Sequence, residues 1–127
     1  SGMTNMDLIY LYFDYSEDAD GVGTFDAMAS VAPAQIAALH AEISAVLTWA
    51  HQHWPDACAP LEEGGAWHYD LQGVQEISTP LLLDFDETSG QLCTAAGNPA
   101  APRTTITLTI SGGADFCAAL REAFGLE

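Results

Sequence analysis

One amphipathic stripe, over residues 33–54, constrains the fold of this chain more than any other feature. Its apolar residues recur at three- and four-residue steps, which is the spacing of one buried face of a helix of about six turns. The stripe comprises Ile36, Leu39, Ile43, Val46, Leu47, Ala50 and Trp54. Pro33 suits the first helical turn, and Pro55 ends the helix because a proline inside it would remove a hydrogen bond. Polar residues interrupt the stripe, so this helix is not expected to span a bilayer.

The other apolar segments are short, and their alternation favours strands. Residues 7–15 are apolar on both alternating sets, which is typical of a strand covered on both faces. A second, shorter helix is predicted over residues 114–124, with Gly125 ending it in the left-handed conformation. The predicted strands cover residues 7–15, 22–31, 66–74, 80–85, 91–94 and 104–111.

The order of these elements predicts an α+β fold. Short turns link most neighbouring strands, so we expect a single, largely antiparallel sheet of about five or six strands. The long helix and the short helix are expected to pack on one face of it. The 127 residues show no repeat and no linker, and Ser1 and Gly2 are typical of a pair left by protein expression. We therefore predict one globular domain over residues 3–127.

The charge balance is strongly negative. Eighteen Asp and Glu residues stand against two Arg and no Lys, which gives a net charge of −16. Binding to nucleic acid needs clustered Lys and Arg to neutralise phosphates, so this partner class is excluded. Docking on an anionic membrane is disfavoured for the same reason.

The acidic residues are concentrated in two predicted turns, which we interpret as partner-binding loops. Clustered carboxylates without neighbouring Lys project negative potential and steer association with a basic surface. We expect the two loops to gather at one edge of the molecule beside exposed aromatic rings, with Tyr10, Tyr12, Tyr15, Trp49 and Trp67 as candidates. The predicted partner-binding residues, acidic except for the aromatic Tyr15, are Asp14, Tyr15, Glu17, Asp18 and Asp20 at the first turn, and Asp84, Asp86 and Glu87 at the second.

These features favour a small acidic, non-catalytic protein-binding module, such as an inhibitor, adaptor or immunity-type protein, with a basic protein as partner. One alternative is a homo-oligomeric domain whose charge keeps it soluble and whose function lies in a pocket. A homodimer would then use the second apolar face of residues 7–15 or the face of the long helix that carries Trp49. A small enzyme is a further alternative, although no catalytic residue or cofactor can be assigned.

Metal binding has one weak candidate in the sequence. Asp18 and Asp20 lie on a flexible turn, and carboxylate oxygens there suit Ca²⁺. The turn does not follow the EF-hand pattern, because position twelve of the aligned loop falls on Ala27 where that pattern requires Glu. We expect no other metal site.

The cysteines and two of the histidines are interpreted structurally. Three cysteines cannot all pair within one chain and none forms a C-x-x-C motif, which predicts reduced thiols in a cytoplasmic protein. Cys117 borders a predicted buried stripe and is expected to pack in the core. His51 and His53 fall in the last turn of the long helix, where a donor side chain satisfies free carbonyls.

Overall fold

The computed structural model describes residues 8–126. Within this range the chain forms six strands and two α-helices. A β-hairpin comes first, and the long helix follows it. Four further strands and then the short helix come after the long helix. In chain order the elements are β1 (Phe13–Glu17), β2 (Gly23–Val31), α1 (Ile36–His53), β3 (Trp67–Glu76), β4 (Leu81–Asp86), β5 (Gln91–Ala96), β6 (Arg103–Gly112) and α2 (Ala114–Phe124).

The six strands form two antiparallel sheets. Four strands pair in the order β1-β2-β6-β3, and β4 pairs only with β5. The predicted α+β class, the antiparallel pairing and the one long and one short helix are confirmed, whereas the single sheet is replaced by sheets of four and two strands. Pro80, Pro99 and Pro102 lie between the two sheets. Prolines lack the N–H that a ladder needs, which explains why the pairing is interrupted there.

The core lies between one face of the four-stranded sheet and the two helices. Alternate residues of β2 face it, so the strand reads buried and exposed in strict turn. Both helices contribute to the same buried cluster, which places them on one face of the sheet as predicted. The buried helical residues are Leu39, Ile43, Val46 and Ala50 of α1, and Phe116, Cys117, Leu120 and Phe124 of α2.

The start of the chain differs from the prediction. Strand β1 begins at Phe13, and residues 8–12 are irregular. The backbone N–H groups of Ile9, Tyr10 and Leu11 donate to the carboxylate of Glu42, at 2.6 to 3.1 Å. A helix side chain therefore satisfies the groups that a neighbouring strand would otherwise pair. Residue 7, the first of the predicted strand, lies outside the described residues.

Both helices end as the sequence indicated. His51 Nδ1–H donates to the carbonyl of Leu47 at 2.8 Å, and His53 Nδ1–H donates to that of Trp49 at 2.9 Å. Both carbonyls lie inside α1, one turn before each imidazole, so the histidines bond back onto the helix, and the prediction that they satisfy its free C-terminal carbonyls is wrong. Gly125 has φ of 64°, the left-handed conformation predicted for the end of α2. No helix among residues 8–126 is long and apolar enough to cross a membrane.

Candidate protein-binding site

The two acidic turns lie at opposite ends of the four-stranded sheet. Gly23, which follows the first turn, pairs with Gly112, and Gly112 pairs with Trp67 at the start of β3. The second turn is reached from the other end of β3, where Glu76 pairs with Arg103. Strand β3 alone is about 30 Å long. The expectation of one acidic edge is therefore wrong, and the assignment of these residues to partner binding stays a prediction.

The first acidic turn uses its central carboxylate to hold its own backbone. Asp18 Oδ1 accepts the N–H groups of Asp20 at 2.8 Å and of Val22 at 3.0 Å. Gly21 takes φ of 82°, which closes the turn. In residues 8–126 there is no group of three or more His, Cys, Asp or Glu side chains that could hold a metal ion. The geometry therefore adds no ligand to the Ca²⁺ hypothesis for Asp18 and Asp20.

Asp14 lies on the exposed outer face of the sheet, opposite Asp26 in the register. Asp26 Oδ1 accepts the hydroxyl of Thr109 from the other neighbouring strand, at 2.6 Å. Two carboxylates directly opposite one another repel, and the hydroxyl offsets part of that cost. Asp14 is thus exposed, but it belongs to the sheet face and not to a loop.

Tyr15 is half-buried and packs between the Phe25 ring and the guanidinium of Arg121. The centroids of the Tyr15 and Phe25 rings are 4.7 Å apart, and Arg121 Cζ lies 3.8 Å from the Tyr15 centroid. Its hydroxyl donates to Glu17 Oε1 at 3.0 Å. Burial and this hydrogen bond raise the pKa of Tyr15, so the phenol stays protonated. One of the two cations of the chain is therefore used to hold an aromatic ring in place.

Of the other expected surface rings, Trp67 is buried, and Tyr10 and Trp49 are half-buried. Trp67 is fully buried, and its ring stacks on Phe116 at a centroid distance of 5.4 Å. Trp49 is half-buried and packs against Phe116 and Phe124. Of the five candidate rings only Tyr12 is largely exposed, with 78% of its surface accessible.

Cys117 packs in the core as predicted. Its thiol donates to the carbonyl of Gly112 at 3.3 Å, and 2% of the residue is accessible. Burial raises the pKa of the Cys117 thiol more than nearby Arg121 lowers it. A buried thiol that stays protonated is a poor nucleophile, which fits the packing role predicted for this cysteine.

The second acidic turn lies at the tip of a projecting hairpin, which we call the β-arm (residues 77–102). Gly97 N–H donates to Pro80 O and Ala100 N–H donates to Ser78 O, both at 2.8 Å, so the two sides of the arm stay paired at its base. Every residue of β4 and β5 is exposed. Five of them are large apolar side chains with 58% to 63% of their surface accessible, namely Leu81, Leu82, Leu83, Phe85 and Leu92.

The register of the arm separates its side chains into two faces. Opposed residues of an antiparallel pair share a face, so Phe85 with Leu92 and Leu83 with Thr94 lie on the same side. The opposite face carries Asp84. The uncharged side, which we call the apolar arm face, consists of Leu81, Leu83, Phe85, Leu92, Thr94 and Ala96, and the acidic arm face consists of Leu82, Asp84, Asp86, Gln91, Cys93 and Ala95.

The tip of the arm is ordered by Asp86. Its Oδ1 accepts the N–H groups of Thr88 at 2.9 Å and of Ser89 at 3.4 Å. These two backbone hydrogen bonds lower the pKa of the Asp86 carboxyl, because they stabilise its charged form. Glu87 is exposed beside it in the same turn. The arm therefore combines an apolar side with a tip that stays negative.

Sequence reasoning found the acidic residues of the arm but missed its apolar face. We predicted the strands over residues 80–85 and 91–94 as a hairpin of the single sheet, with no indication that their apolar side chains stay uncovered. The prolines on both sides of the hairpin were the pattern that could have shown its separation from the four-stranded sheet.

Fold and site together define a small α+β domain with a projecting, partly apolar hairpin. No family model, curated protein or solved structure matches this chain.

Proposed function

We propose that this protein is a non-catalytic protein-binding module that recognises a basic partner surface through the β-arm. The observation that carries the proposal is the exposure of five large apolar side chains on a hairpin whose residues contact the rest of the described chain little. A two-stranded hairpin without a covering layer is marginally stable in water. The arm gains a covering layer when a partner docks on it.

The apolar arm face can supply much of the binding free energy. Fully burying a Leu or Phe side chain is worth about 1.5–3 kcal/mol. Leu81, Leu83, Phe85 and Leu92 are each about three-fifths exposed, so covering all four gains several kcal/mol. Contiguous apolar patches of this kind mark interaction surfaces in soluble proteins.

Charge at the tip selects the kind of partner. Asp84 and Asp86 lie on the opposite face of the same hairpin and Glu87 lies in its turn, and no cation of the chain lies within the arm between residues 77 and 102. Rim charges of one sign steer association with the opposite sign and mainly change the association rate. The complementary surface is an apolar cleft whose border carries Lys or Arg.

The proposal is tested by capture from a lysate of the native host, with purified wild-type protein and variants immobilised at equal density. We expect L83S/F85S to lose the proteins that the wild type captures, and D84N/D86N/E87Q to capture them more slowly and with a weaker dependence on salt. M28S is the matched control, because Met28 is a large apolar residue on the sheet body with 67% of its surface exposed.

The outcome that contradicts the proposal is equal capture by all three variants. Folding is checked by circular dichroism, and the arm substitutions leave the core unchanged because every altered side chain is exposed. Loss of capture with M28S as well would move the binding surface to the sheet body.

We also propose that the protein resides in the cytoplasm, where thiols stay reduced. Cys58, Cys93 and Cys117 are all free, and Cys93 is exposed on the acidic arm face. Alkylation of protein taken directly from cells, followed by mass spectrometry, should label all three cysteines after unfolding. A disulfide at Cys93 in such a sample would contradict this assignment.

A further inference from the structure

Strand β3 is one edge of the four-stranded sheet, and residues 57–59 cover only its first residue. Ala59 N–H donates to the carbonyl of Trp67 at 3.0 Å, and Trp67 N–H donates to that of Ala57 at 3.4 Å. The backbone groups of Trp67 thus point away from β6. In the described residues no strand pairs with the outward side of β3 beyond this point.

In an antiparallel strand the N–H and C=O groups of successive residues point alternately to the two sides of the strand. Because Trp67 presents its N–H and C=O outward, every second residue after it does so too. The outward groups therefore belong to Tyr69, Leu71, Gly73 and Gln75. Natural proteins usually protect such an edge with prolines, bulges or a short strand, and β3 has ten residues and none of these along residues 69–75.

An uncharged groove runs beside this edge, between α1 and β3. One part of it has a volume of about 320 Å³ and is lined by His40, Ile43, Ser44, Leu71, Gly73 and Ile106, among others. The groove continues along α1 past Leu47 to His51. No carboxylate lines either part, although the chain has a net charge of −16. The groove therefore presents no carboxylate to a second acidic chain, and the carboxylates at this edge are those of β3 itself, Asp70 and Glu76.

We propose that β3 pairs with β3 of a second copy, in antiparallel orientation, over residues 69–75. A two-fold axis makes the contact self-complementary, and the two four-stranded sheets become one continuous sheet. Leu71 and Val74, which are 44% and 57% exposed, are then brought against the second copy. The proposal is independent of the partner-binding role of the arm. In the antiparallel dimer each arm follows the last residue of its own β3, so the two arms leave from opposite ends of the paired strands.

Charge complementarity selects the register. Residues of β3 whose side chains face the helices must oppose residues of the second copy that also face the helices. The two-fold axis must therefore lie at a residue and not between two. Near the middle of the strand that residue is Asp70, Leu71, Gln72 or Gly73. The axis at Asp70 opposes two copies of that carboxylate, and the axis at Gly73 opposes Asp70 and Glu76.

The axis at Gln72 is the favoured choice. It places His68 opposite Glu76 of the second copy, and Gln72 opposite its own copy, so no two carboxylates face each other. The axis at Leu71 also avoids repulsion, but it forms no pair between an imidazole and a carboxylate. The inferred dimer therefore has its two-fold axis at Gln72.

Cross-linking tests the register, in a C93S background that removes the exposed thiol. Q72C should form a covalent dimer on mild oxidation. The two copies of residue 72 would be a non-hydrogen-bonded pair, whose Cα atoms lie about 4.5 Å apart and within reach of a disulfide. L71C should form about tenfold less, since the axis at Gln72 places its two copies diagonally, about 7–8 Å apart. Faster cross-linking of L71C overturns the register, and failure of both variants overturns the pairing.

Sedimentation velocity tests the edge itself. Gly73 N–H points outward, so G73P removes an edge donor and leaves the β3–β6 ladder intact. G73A is the matched control, because a Cβ added at Gly73 meets no atom closer than 3.9 Å. We expect wild type and G73A to be dimers, and G73P to raise the dissociation constant about tenfold or more at unchanged circular dichroism.

Two results would overturn the proposal. The first is a monomeric wild type, and the second is an equally tight dimer of G73P. The arm variant L83S/F85S should remain dimeric, and its conversion to a monomer would show that the arm holds the copies together. The same variant is also used to test partner capture by the arm. Dimerisation and capture are measured separately, so failure of the dimer and failure of the proposed function are distinct results.

Discussion

Strands β2 and β4 both carry apolar residues at every second position, on one face, but that face is buried on β2 and exposed on β4. On β2 the apolar residues Phe25, Ala27, Ala29 and Val31 are at most 6% exposed, whereas Leu81, Leu83 and Phe85 on β4 are 58% to 60% exposed. The larger apolar side chains thus lie mainly on the strand that is not covered. Helices α1 and α2 cover the four-stranded sheet only, so position in the fold decides burial here, and hydrophobicity does not.

This contrast divides the molecule into a body that stabilises itself and an arm that a partner would stabilise. In the body the inner-face side chains of β2 and β6 pack with both helices in one buried cluster. In the arm the strands contact mainly each other. The same measurement on matched residues of the body and the arm tests this division.

The largest difference is expected in thiol labelling under native conditions. Cys93 is exposed on the arm, and Cys117 is 2% exposed in the core, where burial also raises the pKa of its thiol. We expect Cys93 to react at least about a thousandfold faster with a maleimide, since Cys117 is reached only through unfolding that costs 5 kcal/mol or more. Peptide mapping of the labelled protein gives both rates. Comparable rates would show that the core opens readily.

Leucine-to-alanine substitutions compare the two regions directly. L108A should lower the free energy of unfolding by about 2–5 kcal/mol, because Leu108 is fully buried and its loss leaves a cavity. L83A should change it by less than about 0.5 kcal/mol, because Leu83 is 60% exposed. Urea denaturation measures both. A large effect of L83A would mean that the arm packs on the body in solution.

A smaller effect is expected at Glu42, which holds residues 9–11 against the body. Its carboxylate accepts three backbone N–H groups, and hydrogen bonds to a charged group are worth about 1.5–3 kcal/mol each where they are shielded. These N–H groups are partly exposed, so E42A should cost about 1–3 kcal/mol in total. E42Q is the control, since its amide oxygen still accepts. Faster hydrogen exchange at Ile9 to Leu11 in E42A would locate the loss.

The smallest effect is expected at the tip of the arm on acidification. Hydrogen bonds from Thr88 and Ser89 lower the pKa of Asp86, so its contribution to the turn is complete above the ordinary carboxyl range. It is lost as the pH falls through that lowered pKa, below about pH 4. NMR titration of the Thr88 amide should show the change in wild type. D86N keeps an acceptor without titrating there, and a similar titration in it would contradict the assignment.

Much of the fold could be predicted from local pattern. The stripe of α1, the alternation of β6 and the glycine that ends α2 each depend on neighbouring residues in the sequence, so they are visible there. Residues 8–12 could not be predicted, because Glu42, which satisfies their N–H groups, lies more than 30 positions away. The sequence placed the acidic residues in turns, and the structure agrees for Asp18, Asp20 and Glu87, whereas Asp14, Glu17, Asp84 and Asp86 lie on strands β1 and β4.

The relative placement of those turns needed the tertiary structure. Which end of a sheet a turn occupies depends on strand order and register, and both are set by long-range pairing such as Gly23 with Gly112. The amino-acid sequence by itself determined the class of fold, the charge and the extent of most elements, since periodicity and composition are local properties. Only the tertiary structure decided that an apolar hairpin stays uncovered and that β3 keeps a free edge among the described residues, because coverage depends on where the two helices pack.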